Sequence, residues 1–219
     1  MIEDRYWLQR PYFGEDGQDR IIRSTVAVIG CGGLGINVLT ALAQAGVSHF
    51  IIYDAGFPEI TDINHQYIYA MADVRPKASL AGDWILAINP FAEVEAHHQD
   101  FDESSADAVS MADVVVDCSE DVRTSKKIRG FCIPGKTLIT ASLQGDKGVV
   151  SVVPAGCSPR DTGDASPDKT VAVGVCYSVV GSIQALECLK ILSGKETPSG
   201  CSVVTVDLND MTMSRVCNN

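Results

Sequence analysis

Thr25-Val-Ala-Val-Ile-Gly30-Cys-Gly-Gly-Leu-Gly35 runs from a β-branched stretch directly into four glycines, and His49-Phe-Ile-Ile-Tyr-Asp54 follows. Thr25 to Ile29 reads as a buried strand. Leu34 to Gln44 has helical composition and stops at Gly46, a left-handed helix end. His49 to Tyr53 is a second buried strand. Gly30, Gly32 and Gly35 fit G-x-G-x-x-G between strand and helix, and Asp54 stands 19 residues beyond Gly35. Glycines permit a tight turn and close backbone approach, the helix N-terminus offers N–H donors to phosphate, and the acid bonds ribose hydroxyls. Nucleotide binding by Gly30, Gly32, Gly33, Gly35 and Asp54 is therefore expected. NAD, FAD and ATP all use this arrangement, so the motif alone leaves the nucleotide open.

Outward from this unit the alternation continues. Lys77 to Ile88 is a helix between Pro76 and Pro90, Glu93 to His98 a third strand, and Val114 to Asp117 a fourth. A charged helix from about Asp121 to Gly130 leads to a fifth strand, Thr137 to Ala141. Val149 to Val153 follows without a helix and is read as antiparallel. Residues 155–169, rich in Gly, Ser, Pro and Asp, read as a mobile surface loop. Val173 to Leu192 is a long apolar helix, and Asn209-Asp210 marks a hairpin between Ser202–Asp207 and Met211–Val216. Met1 to Arg23 reads as an N-terminal helical arm. The expected fold is α/β: a single Rossmann-like domain over residues 1–219, with a doubly wound, mostly parallel sheet and antiparallel C-terminal strands.

Of 219 residues, 46% are hydrophobic and 21% charged, which suits a sizeable core. With 28 acidic and 17 Lys/Arg residues the net charge is −11, which argues against nonspecific nucleic-acid or anionic-membrane binding. The N-terminus has no apolar leader, so a cytoplasmic protein is expected. Thr25 to Tyr53 carries no charge, but its glycines favour strand, turn and helix over a membrane span. The eight cysteines (31, 118, 132, 157, 176, 188, 201 and 217) include no CxxC pair, so no zinc site is expected and reduced thiols are.

Arg5-Tyr6-Trp7-Leu8-Gln9, Phe13 to Gln18 and the glycine motif resemble the opening of the E1-like adenylyltransferases. That family holds the ThiF, MoeB and HesA proteins and the adenylation domains of ubiquitin-activating enzymes. Asp54 to Gln66, Arg75-Pro76-Lys77, Asp117-Cys118-Ser119-Glu120 and Gly181 to Glu187 resemble its later segments, in chain order. The resemblance implies ATP and Mg²⁺, and a carboxylate that attacks the α-phosphate to give an acyl-adenylate and pyrophosphate. The carboxylate belongs to a small-molecule acid or to the C-terminus of a ubiquitin-like sulfur carrier. The resemblance further implies that Asp117 holds Mg²⁺ and that Lys77 reaches the phosphates, these two being the catalytic pair. Asp54 holds the ribose, and Asp62, Asn64, His65 and Gln66 belong to the ATP-binding segment. Related enzymes pair through the N-terminal arm, so a homodimer is expected.

Departures from the pattern accompany it. Leu8 replaces an Arg, with Arg10 nearby as a substitute. His65 also stands for an Arg, Asp62 for an Asn, and Gly56 for an acid. Fewer cations and an added carboxylate weaken phosphate binding; in the alternative, Asp62 adds a metal ligand and His65 a neutral or titrating donor. Thr170 stands where a catalytic Cys is often found, leaving Cys157 and Cys176 as the nearest thiols. Two other functions stay open: a catalytically degenerate nucleotide-binding scaffold, motivated by Leu8 and His65, and a NAD-dependent oxidoreductase resting on the glycine motif alone.

Overall fold

A computed structural model describes residues 5–132, 135–157, 173–195 and 200–218. One eight-stranded sheet, in the order β3-β2-β1-β4-β5-β6-β7-β8, carries the fold. Its strands are β1 (Thr25–Ile29), β2 (His49–Tyr53), β3 (Glu93–His97), β4 (Val114–Asp117), β5 (Thr137–Gln144), β6 (Lys147–Val153), β7 (Cys201–Asp207) and β8 (Thr212–Asn218). β3 through β5 are parallel, and each pairing from β5 to β8 is antiparallel. The expected switch to antiparallel pairing after the fifth strand is present, as is the β7–β8 hairpin.

The apolar runs of β1, β2 and β4 are continuous because both sheet faces are covered. Val26, Val28, Phe50, Ile52, Val114 and Val116 point into the larger core. Ala27, Ile29, Ile51, Tyr53 and Val115 point into a second core on the opposite face. Leu34, Val38, Leu39 and Leu42 of α3 (Gly33–Ala45) join the larger core, with residues of α4 (Lys77–Ile88) and α7 (Gly174–Ser193). Val109 of α5 (Ala106–Ser110) and Ile128 of α6 (Val122–Cys132) close the other face. α4 has the bounds its flanking prolines predict. α5, only five residues long, has no apolar periodicity to announce it.

The charge-free stretch Thr25 to Tyr53 divides into β1, α3 and β2. α7 is long and apolar enough to cross a membrane by length and composition, but half of it is buried against the rest of the fold. The N-terminal arm is two short helices, α1 (Arg10–Phe13) and α2 (Glu15–Arg23), broken at Gly14 with φ +76°. It is docked on its own chain. Tyr6 is 4% exposed, its ring lies against Gly46, and Gln9 and Gln18 both donate to the Ala45 carbonyl, at 2.7 and 3.0 Å. These bonds satisfy a carbonyl left open at the end of α3. Most of the loop read at 155–169, and Thr170, lie outside the described residues.

Candidate active site

Strand register builds the site. Ile29 is level with Tyr53 on one side and Asp117 on the other. Gly30, Asp54 and Cys118 therefore leave the sheet together, at the carboxyl ends of the strands where the order reverses between β1 and β4. Gly30 has φ +97°, and a Cβ there would sit 2.6 Å from the Cys118 carbonyl oxygen. A Cβ on Gly35 would lie 1.9 Å from the Gly30 carbonyl oxygen, so the turn has no room for a side chain at either position. No side chain caps α3, which leaves its first N–H groups available to an anion. Asp54 braces this loop: its Oδ2 accepts from the Cys31 N–H at 2.6 Å and its Oδ1 from the Gly56 N–H at 2.7 Å. Each oxygen keeps a second lone pair for a ribose hydroxyl.

The loop opens into a polar cleft of about 870 Å³. Gly30, Gly32, Asp54, Asp62, Asn64, His65, Gln66 and Lys77 all line it, as the sequence predicted. Lys77 Nζ lies 2.7 Å from Asp62 Oδ2, with the side chains 12% and 13% exposed. Asp62 also accepts from the Glu59 N–H at 2.9 Å and from Gln66 Nε2 at 2.8 Å. The cation expected at the phosphates is thus matched by a carboxylate before any nucleotide arrives. His65 Nδ1 is 2.6 Å from Asn64 Oδ1. Burial pushes the His65 pKa down, with Lys77 adding to the effect and Asp62 opposing it, so the ring is neutral at physiological pH and supplies no positive charge. Gln66 Oε1 is buried and has no hydrogen-bond partner among the described residues. A second cavity of about 250 Å³ shares Gly30, Asp54 and Ser119 with the cleft and is also lined by Phe101.

Three predicted residues stand elsewhere. Gly33 and Gly35 shape the turn without lining the cleft. Asp117 is 2% exposed, and its carboxylate accepts from the Ser119 N–H at 3.0 Å, the Ser119 hydroxyl at 2.7 Å and the Ser125 hydroxyl. Burial raises its pKa, opposed by those serine bonds. Asp117 therefore ties the β4–α6 turn together and does not line the cleft in which Mg²⁺ was expected. The acid of the same Asp117-Cys-Ser-Glu120 run that lines the cleft is Glu120. Its backbone is left-handed, φ 51°, which turns it away from the direction set by the strand. Sequence reasoning quoted Glu120 without giving it a role, and missed Tyr177, a cleft residue from α7. Arg10 pairs with Glu15 on the arm. Cys157 and Cys176 are half-buried, and neither lines the cleft.

A doubly wound sheet with a bare helix N-terminus, an acid and a lysine around one polar cleft fits an enzyme of the E1-like adenylyltransferase class. Residues 6–219 match the ThiF family, and the chain belongs to it. It is similar to the sulfur carrier protein ThiS adenylyltransferase of Escherichia coli: 34% identity over 200 residues, spanning 84% of this chain and 78% of that protein. It is also similar to the sulfur carrier protein adenylyltransferase of Thermus thermophilus: 32% identity, spanning 89% of this chain and 79% of that protein. Among solved structures, E. coli MccB with ATP has the same fold, with a TM-score of 0.83 and 18% identity over 97% of this chain and 69% of that one.

Proposed function

We propose that this protein transfers AMP from ATP to a carboxylate carried by a ubiquitin-like carrier's C-terminus or by a small acid. A carboxylate oxygen attacks the α-phosphorus, the bond from phosphorus to the bridging oxygen breaks, and pyrophosphate leaves with that oxygen. The single observation that carries this reading is the convergence of glycine turn, Asp54, Lys77 and Glu120 on one cleft. The smaller adjoining cavity is the size of a purine subsite, Asp54 is placed for the ribose, and Lys77 for the triphosphate. Gln66 Oε1 offers a buried acceptor to a ribose hydroxyl or a substrate N–H. With so little covalent work for the protein to do, catalysis rests on holding positive charge at the oxygens that gain negative charge.

Among the described residues no cluster of three or more His, Cys, Asp or Glu stands ready for a metal. That fits Mg²⁺, which is held by one or two carboxylates with substrate phosphates and water completing its shell. Glu120 is the carboxylate for it, and the ion would neutralise charge on the phosphates. Asp62 exchanges partners in this reading: Lys77 turns from it toward the γ- or β-phosphate, which makes Asp62 a brake on nucleotide affinity.

The chain acts as one folded unit and as a homodimer. Trp7, Leu8 and Val175 are 72%, 91% and 71% exposed, and Val179, Ile183 and Leu186 line an apolar depression of about 430 Å³ on α7. Covering this much apolar surface favours a second copy. The described cysteines are free thiols, and the reading places the protein in the cytoplasm.

ATP–pyrophosphate exchange across carrier-tail peptides and small carboxylic acids tests the reading. Exchange should need both acid and Mg²⁺, and Lys77→Met should lower kcat/KM by roughly 10²–10³. ATP binding without exchange for any acid would instead favour the second reading, a nucleotide-binding scaffold, for which the Asp62–Lys77 pair is the specific support.

A further inference from the structure

Tyr177 joins the walls of the cleft to one another. α7 begins against the cleft rim, where a Cβ on Gly174 would be 2.8 Å from the Asn64 carbonyl oxygen. One turn further, Tyr177 is 8% exposed, and its side chain makes contacts with three different segments. It lies on the first turn of α3, where a Cβ on Gly33 would meet ring carbons at 2.6 to 3.0 Å. It stacks on His65 with centroids 5.2 Å apart and planes at 30°. Its hydroxyl interacts with the carboxylate of Glu120, which lines the same cleft.

Glu120 needs such a partner. A non-glycine residue at φ 51° occupies a sparsely populated backbone region and keeps it only when its surroundings hold it there. A carboxylate has two oxygens, so one can accept from Tyr177 while the other serves a cation. Outer-shell donors of this kind orient ligating carboxylates.

We propose that Tyr177 is a positioning residue: its hydroxyl fixes Glu120, and its ring fixes Gly33 and His65, so that cation and triphosphate meet in one register. The inference rests on the adenylyltransferase reading and on Glu120 as the cation's carboxylate. Tyr177→Phe keeps the ring and deletes one oxygen, which preserves packing on Gly33 and His65. ATP binding is measured by calorimetry in EDTA and then across a Mg²⁺ titration, with pyrophosphate exchange alongside.

In Tyr177→Phe, metal-free ATP affinity should stay within about twofold of wild type, while the Mg²⁺ concentration at half-effect should rise about tenfold. Saturating Mg²⁺ should restore kcat, which damage to packing would not allow. In Glu120→Gln the Mg²⁺-dependent tightening should vanish, and adding Tyr177→Phe should change nothing further. A Mg²⁺ midpoint within twofold of wild type in Tyr177→Phe, or an equal loss of metal-free ATP affinity, overturns the proposal. A Glu120→Gln variant with its Mg²⁺ response intact overturns the assignment of the cation beneath it, which separates the two failures. Because the binding titration needs no acid substrate, the result stands even where exchange is absent.

Discussion

Asp117→Asn distinguishes a buried turn-builder from a metal ligand. In wild type the carboxylate receives the Ser119 N–H, the Ser119 hydroxyl and the Ser125 hydroxyl, and is 2% exposed. Asparagine keeps one carbonyl oxygen for the two Ser119 donors. Its amide NH₂ faces Ser125, whose hydroxyl must turn to accept. One charge-assisted bond is thereby replaced by a neutral one of opposite polarity, a loss of about 2 kcal/mol. In a chain of this size that lowers Tm by roughly 4–8 °C. The pH dependence has a definite sign. Burial raises the folded pKa of Asp117 above the ordinary 3.8, so the folded state holds its proton more tightly than the unfolded chain. Wild type consequently loses stability as pH rises through that window, a term the Asn variant lacks, and the Tm deficit of Asp117→Asn should be larger around pH 4 than around pH 7. Differential scanning calorimetry reads the stability, and a Mg²⁺ titration of ATP binding below Tm reads the metal. Mg²⁺ response should be unchanged. A variant with wild-type Tm and no Mg²⁺ response would refute the reasoning and return the metal to Asp117.

Glu187, its side chain 2% exposed, binds Lys190 at 2.7 Å and Arg215 at 2.6 Å, tying α7 to β8. Burial pushes its pKa up, but the bonds from Arg215 and Lys190 outweigh this and leave it below the usual 4.5. Glu187→Gln should lower Tm by roughly 5–10 °C at neutral pH. The gap should close as pH falls through the depressed folded pKa, where wild type loses the same stabilisation; a pH-independent gap would contradict the ion-pair account. Cys157→Ser and Cys176→Ser should each retain pyrophosphate exchange, since neither thiol lines the cleft. A substrate adduct that survives denaturation and is released by a reducing thiol would overturn that expectation.

The sequence by itself determined the parts that depend on local chemistry and on burial pattern. Prolines 76 and 90 bounded α4, Gly46 ended α3, and uninterrupted apolar runs marked β1, β2 and β4 as strands covered on both faces. The glycine spacing and Asp54 located the nucleotide turn, and eight of the eleven predicted site residues line the cleft. Only the tertiary structure decided which acid of Asp117-Cys-Ser-Glu120 enters it. Periodicity places residues on a face while the strand lasts, but here the chain leaves β4 and turns at Glu120 with φ 51°, so Asp117 folds back onto two serines and Glu120 reaches the cleft. Tyr177 was illegible for a related reason. Inside a mostly apolar helix it reads as one more core residue, and its role comes from meeting Gly33, His65 and Glu120, which lie between 57 and 144 positions away along the chain. The N-terminal segment likewise read only as a helical arm through which two copies pair. The structure seats Tyr6 on Gly46, which has no side chain to obstruct it, beside the Ala45 carbonyl to which Gln9 and Gln18 donate, and no pattern in the arm's own residues records this.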